Sequence, residues 1–195
     1  IKSIFTRFLS TMSKVKINEQ KVKVGNFQIN FVTSKLEDGK AEKTLLMMPG
    51  ALGSAFTDFK PQLENLPKLL PNYQIIAFEP VGYGSSIPPG RQFSCDFLEN
   101  DADNAKELMD VLGVDSFNLL GWSDGGISAI ILAGKHPQKV KKLAFFGSNA
   151  FIVEEELKIY DSIRDVSKWS AKMREPLEKL YGAEYFKDTW EKWVD

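Results

Sequence analysis

The sequence predicts an α/β fold: a mostly parallel sheet with helices on both faces and a helical cap over one end. Three observations predict it. Short apolar runs recur at Leu45–Met48, Ile75–Phe78, Phe117–Leu120 and Leu143–Phe146, the first two as in strands buried on both faces. Helix-period segments separate them, so the strands run parallel through crossovers. Beyond Ile152 no strand pattern returns, and the chain becomes charged, helix-prone and rich in aromatic residues.

The chain has 195 residues, 43% of them hydrophobic, enough for one well-packed domain. Its formal net charge is -1, which gives no electrostatic case for nucleic acid or an anionic membrane surface as partner. A single cysteine, Cys95, excludes an intramolecular disulfide and fits a reducing compartment. No apolar run is long enough to span a bilayer. Residues 1–16 open without an acid and carry Lys, Arg, Ser and Thr between bulky apolar residues, so they are expected to target the mitochondrion; otherwise the protein is cytoplasmic. A core is expected over residues 17–150 and part of a cap over 151–195.

Lys21–Val32 alternates apolar and polar residues about Gly25-Asn26, which predicts a hairpin. Ser34–Lys43 is polar and reads as a loop. Thr44–Met48 is a buried strand that stops at Pro49-Gly50-Ala51-Leu52-Gly53-Ser54. Phe56–Leu70 gives a helical pattern broken by Pro61 and Pro67. Tyr73–Phe78 is the next strand, and the turn-rich Glu79–Ser86 follows it. Phe97–Leu112 is an amphipathic helix ended by Gly113. A helix after Gly126 stops at Lys135-His136-Pro137, and Val140–Phe146 is a further strand. Glu154–Trp169 and Met173–Trp193 read as the two helical segments of the cap.

The whole is organised around Phe117–Gly126. There an apolar strand ends in Gly121-Trp122-Ser123-Asp124-Gly125 and a small-residue helix follows at once. This is the setting of a nucleophile elbow. A sharp turn lifts the Ser123 hydroxyl off the sheet and sets it at a helix N-terminus, where free N–H groups and the helix dipole favour developing negative charge. Gly121 and Gly125 stand where side chains would collide as strand and helix close on each other.

With Leu46–Ser54, Pro80–Gly84, Ile159–Trp169 and Glu191–Asp195, the stretch Leu119–Gly126 resembles the α/β-hydrolase family, from about Val22 to the last residue. The nearer likeness is to hydrolases of α-amino-acid esters. The resemblance implies that Ser123 attacks the ester carbonyl. The backbone N–H of Asp124 and one from Ala51 or Leu52 would hold the oxyanion, each worth roughly 3 kcal/mol in the transition state. It also implies a substrate site drawn from Asp124, Gly50, Trp122, Ile159 and Ile163. The Asp124 carboxylate stands where the α-ammonium of such a substrate would lie. No cofactor and no metal are expected, since no cluster of His or Cys ligands exists. The partner is a small-molecule ester and the protein is expected to be a monomer.

A serine nucleophile needs a base and the base an orienting acid. The one histidine, His136, lies thirteen residues past Ser123, on the order of 20 Å along a helix. It is expected to be an exposed helix-end residue. Asp161, Asp165 and Asp188 come too early in the chain order for the acid. The 195 residues are therefore expected to be a fragment whose acid and histidine lie downstream, leaving the Val140 strand as an unpaired edge. Two alternatives stand beside the esterase: a non-catalytic α/β-hydrolase-like binding protein, and a carbon–carbon bond hydrolase, which has no use for an acid at position 124. No strand opens a Gly-x-Gly-x-x-Gly turn, which disfavours a dinucleotide fold.

Overall fold

The computed structural model describes residues 14–195. The targeting segment thus falls almost wholly outside the described residues. Its last two, Val15 and Lys16, pair with Leu36 and Lys35 as the first residues of a strand.

Six strands form one sheet: β1 (Val15–Val24), β2 (Phe27–Leu36), β3 (Lys43–Met48), β4 (Tyr73–Phe78), β5 (Phe117–Trp122) and β6 (Val140–Phe146), in the order β1-β2-β4-β3-β5-β6. β1 and β2 are antiparallel about Gly25, whose φ of +53° suits a residue without a Cβ. β2 is also antiparallel to β4. From there the pairings β4–β3, β3–β5 and β5–β6 are parallel, as expected for strands joined through helices.

Helices α1 (Ala55–Leu69), α2 (Phe97–Val111) and α3 (Asp124–Lys135) cover the sheet. On one face Val24, Ile29, Phe31, Leu46, Met48, Ile76 and Phe78 meet Ala102, Ala105, Leu108, Ala129 and Leu132 of α2 and α3. On the other, Val32, Met47, Ile75 and Ala77 meet Ala55, Phe59 and Leu63 of α1. The inner strands β3 and β4 alternate between these two cores, which is why they read as continuous apolar runs, whereas β6 stands at the sheet edge with Phe145 and Phe146 exposed.

Two expectations are corrected. Ser34–Leu36 is not loop but the end of β2, because Ser34 pairs with both Ile17 and Ile75. And α1 runs unbroken through Pro61 and Pro67. Pro67 cannot donate to the Leu63 carbonyl one turn back. The buried Ser34 hydroxyl donates to that carbonyl instead. The strand residue misread as loop thus satisfies the acceptor that the proline leaves open.

The cap holds α4 (Glu154–Ser162), a 3₁₀ turn (Val166–Lys168), α5 (Ala171–Tyr181) and α6 (Ala183–Val194). Its second segment is two helices rather than one, parted at Gly182 with φ +76°. Phe186, Trp190 and Val166 pack on Leu52 and Tyr83 from the loops after β3 and β4. The Tyr181 hydroxyl donates to the Leu52 carbonyl (2.9 Å) and accepts from Gly84 N–H (2.7 Å). The Tyr185 hydroxyl does the same between Gly82 and Arg91. Among the described residues no helix is long and apolar enough to cross a membrane.

Candidate active site

β5 ends at Trp122 and α3 begins at Asp124, so one residue, Ser123, makes the turn between them. Its φ of 53° and ψ of -126° lie in a region that L-residues rarely adopt, at a cost on the order of 1–3 kcal/mol. Leu52 is the other non-glycine residue with positive φ (54°) among the described residues. The two strained residues belong to facing turns. A Cβ placed on Gly50 would come within 3.0 Å of the Ser123 Cβ and of the Trp122 ring.

The close approach of these turns explains the glycines. A Cβ on Gly121 would lie 2.4 Å from the Gly126 Cα, and one on Gly125 would lie 2.2 Å from the Met48 carbonyl oxygen. Strand β5, helix α3 and the end of β3 are therefore in backbone contact, and the bend has no room to relax. The Ser123 N–H donates to the Phe146 carbonyl (3.0 Å) and the Ser148 hydroxyl donates to the Ser123 carbonyl (2.7 Å). Both bonds fix the backbone of the turn from the end of β6.

Ser123 itself is half-buried, so its side chain is reachable. It caps α3 without a side-chain hydrogen bond, which leaves the first amides of the helix open. Among the described residues the N–H groups of Asp124, Ala51 and Leu52 find no backbone acceptor. The open amides of Ala51 and Leu52 belong to the loop that follows Gly50, and Gly50 lies against Ser123.

Asp124 is held differently. Its Oδ2 accepts the Trp193 indole N–H at 2.7 Å, from the last turn of α6. Burial pushes its carboxyl up from 3.8 to about 6, against the pull of the Trp193 hydrogen bond and the Arg91 charge. A cavity of about 350 Å³ opens beside it, lined mainly by Phe97, Ile127, Phe151, Leu157, Tyr160 and Trp193. Among the described residues no Lys or Arg forms an ion pair with Asp124, so a carboxylate borders a largely apolar cavity.

The other residues predicted for the substrate site fall in three places. Gly50 and Trp122 lie against Ser123, with Trp122 also packed on the Phe146 ring at 5.1 Å between centroids. Ile163 packs into the cap core, and its carbonyl accepts the indole N–H of both Trp169 and Trp190. Ile159 is 57% exposed and stands apart from the cavity lining. His136 caps the far end of α3, one helix length from Ser123.

Sequence reasoning passed over four groups. Arg91 and Asp101 form a buried bidentate pair at 2.7 and 2.6 Å beneath the cap, with Arg91 over the Tyr83 ring. Glu79 takes hydrogen bonds from Ala55, Ser85 and Asn30. Asp58 accepts from Gly50, and Ser148 anchors the serine turn. Each depends on how a loop folds back on its neighbours, which no local pattern signals.

Comparison with known proteins agrees with this geometry. A family model described as alpha/beta hydrolase fold matches residues 43–183. Serine hydrolase BPHL of Homo sapiens is 47% identical over 179 residues, 92% of this chain and 60% of its own length. The Mus musculus protein of that name is 50% identical over 157 residues, 80% of this chain and 53% of its own. The chain thus spans 60% and 53% of the length of these two relatives. Among solved structures, 2-hydroxy-6-oxo-6-phenylhexa-2,4-dienoate hydrolase from Rhodococcus sp. strain RHA1 superposes with a TM-score of 0.70 at 15% identity, over 93% of this chain and 72% of that one. At that identity the likeness speaks for the fold.

Proposed function

The chain belongs to the α/β-hydrolase family, and from that premise we propose that the whole protein is a serine hydrolase of α-amino-acid esters. Ser123 attacks the acyl carbon. The N–H of Asp124 and one from Ala51 or Leu52 receive the oxyanion. The acid and histidine of a Ser-His-Asp triad come from outside these 195 residues, since His136 stands at the wrong end of α3.

The observation that carries the substrate class is the Asp124 carboxylate beside the apolar cavity. A half-buried acid whose carboxyl is pushed up to about 6 gains from any cation brought against it. The α-ammonium of an amino-acid ester is such a cation, one bond from the carbon that bears the carbonyl. The apolar lining favours an apolar side chain on that carbon. Gly50 and Trp122 bound the acyl end, and Ile163 acts through the cap core. In a closed site such an ion pair discriminates strongly against esters that lack the amine.

The test is hydrolysis of a phenylalanine ester and of its N-acetyl counterpart by the full-length protein. The free-amine ester should be cleaved at least ~100-fold better in kcat/KM, and Ser123→Ala should abolish both reactions. Equal rates on the two esters would remove Asp124 from substrate recognition. A second reading, a non-catalytic binding protein, draws on the placement of His136. It is upheld if the full-length protein binds the amino-acid amide but cleaves neither ester.

A further inference from the structure

We propose that Asp58 is a positioning residue for the oxyanion loop, which it clamps by accepting the Gly50 amide hydrogen. The inference rests on the hydrolase reading above and names a residue that the reading does not use.

The loop Pro49–Ser54 bridges β3 and α1. Its turn is closed by the Gly53 N–H donating to the Gly50 carbonyl at 2.9 Å, and its third residue, Leu52, is strained. A turn holding a leucine at φ 54° persists only when the surroundings over-determine it. Asp58, in the first turn of α1, supplies one such restraint. Its Oδ2 accepts Gly50 N–H at 3.0 Å, and a Cβ on Gly53 would lie 2.1 Å from the same oxygen. One carboxylate oxygen therefore sits across both ends of the turn.

The carboxylate is itself held. The Thr57 hydroxyl donates to its Oδ1 at 2.9 Å, and Thr57 and Ser54 exchange the reciprocal bonds of a capping box. Glu79 accepts the Ala55 N–H from the opposite side. The restraints run from helix α1 to Gly50, and Gly50 lies against Ser123. Asp58 does not touch the reacting atoms; it sets where the Ala51 and Leu52 amides point.

The test uses the full-length protein, p-nitrophenyl butyrate (an ester without an amine) and two variants. Asp58→Ala removes the acceptor, while Asp58→Asn keeps an oxygen that can accept from Gly50. Asp58→Ala should lower kcat on the order of 10-fold or more with KM within about threefold, because a donor displaced by a fraction of an ångström loses mainly transition-state binding. Asp58→Asn should recover most of the loss. The Gly50 amide should exchange its hydrogen faster in Asp58→Ala than in wild type, and Asp58→Asn should restore protection. Asp58→Ser, too short to reach Gly50, makes the same comparison if the alanine variant does not fold.

Unchanged kcat in folded Asp58→Ala, or Asp58→Asn as impaired as Asp58→Ala, overturns the clamp. If the wild type shows no Ser123-dependent hydrolysis, the hydrolase reading fails by itself. The Gly50 exchange rates then decide the clamp alone: faster exchange in Asp58→Ala upholds it and an unchanged rate refutes it.

Discussion

The indole N–H of Trp193 donates to Oδ2 of Asp124 at 2.7 Å, across 69 positions of sequence. A residue of the cap thereby fixes the carboxylate next to Ser123. The bond also stabilises the charged form of Asp124, against the burial that disfavours it. Trp193→Phe keeps a ring to pack on Trp190 and Tyr160 but removes the donor. The Asp124 midpoint should then move above about 6. Binding of phenylalanine amide, titrated against pH by calorimetry, checks this. The midpoint of its acid limb should rise, and a stationary midpoint would mean that the hydrogen bond does not govern the charge.

The sign of the Asp124 effect on stability follows from the same shift. Folded, the carboxyl titrates near 6; its ordinary value is 3.8. Between these pH values the folded chain holds a proton that the unfolded chain has released, so this contribution to stability is present below pH 4 and is lost as pH rises through 6. Two units correspond to up to about 3 kcal/mol. Asp124→Asn should therefore melt above wild type at pH 7 and no higher than wild type at pH 4. Melting curves at the two pH values decide it; a variant less stable at pH 7 contradicts the shift.

The Arg91–Asp101 pair lies buried beneath the cap, and Arg91 also donates to the Val81 carbonyl at 3.0 Å. Burial opposes the Arg91 charge, yet the bonds to Asp101 hold it protonated. Removing one partner leaves the other charge unpaired in the interior. Asp101→Ala should cost about 3–5 kcal/mol in urea unfolding. A loss below ~1 kcal/mol would show that water reaches Arg91.

Gly125→Ala places a methyl group 2.2 Å from the Met48 carbonyl oxygen and 2.3 Å from that of Pro49. The turn must open or the sheet must shift. The variant should lose several kcal/mol of stability. Gly50→Ala meets Ser123 and Trp122 at 3.0 Å and should instead slow hydrolysis with a small change in Tm. Equal melting temperatures for Gly125→Ala and wild type would contradict the close packing of the turn.

Much of this architecture is legible locally. β4 and β6 coincide with their apolar runs, and Gly113 ends α2 as its position implies, with φ +68°. The serine turn is readable because strand, glycines and helix are contiguous. Ser34 reads as loop because its strand pairing depends on β4 and its hydroxyl serves a proline-vacated carbonyl on α1. Asp58 shows no signal of its own: an acid in the first turn of a helix looks like a dipole partner. Its bond to Gly50 exists only once the loop has folded back. Trp193 reads as one aromatic residue among many until the end of α6 is brought to Asp124 at the start of α3. Local pattern thus locates the serine turn, and tertiary packing supplies the groups around it.

The most direct test concerns Ser123. Full-length protein is treated with a fluorophosphonate and the adduct is mapped by mass spectrometry, with Ser123→Ala as control. The strained turn and its flanking amides predict stoichiometric phosphonylation of Ser123 and none in the variant. A folded protein that stays unlabelled, or carries the adduct on another residue, would contradict the assignment of Ser123 as the nucleophile.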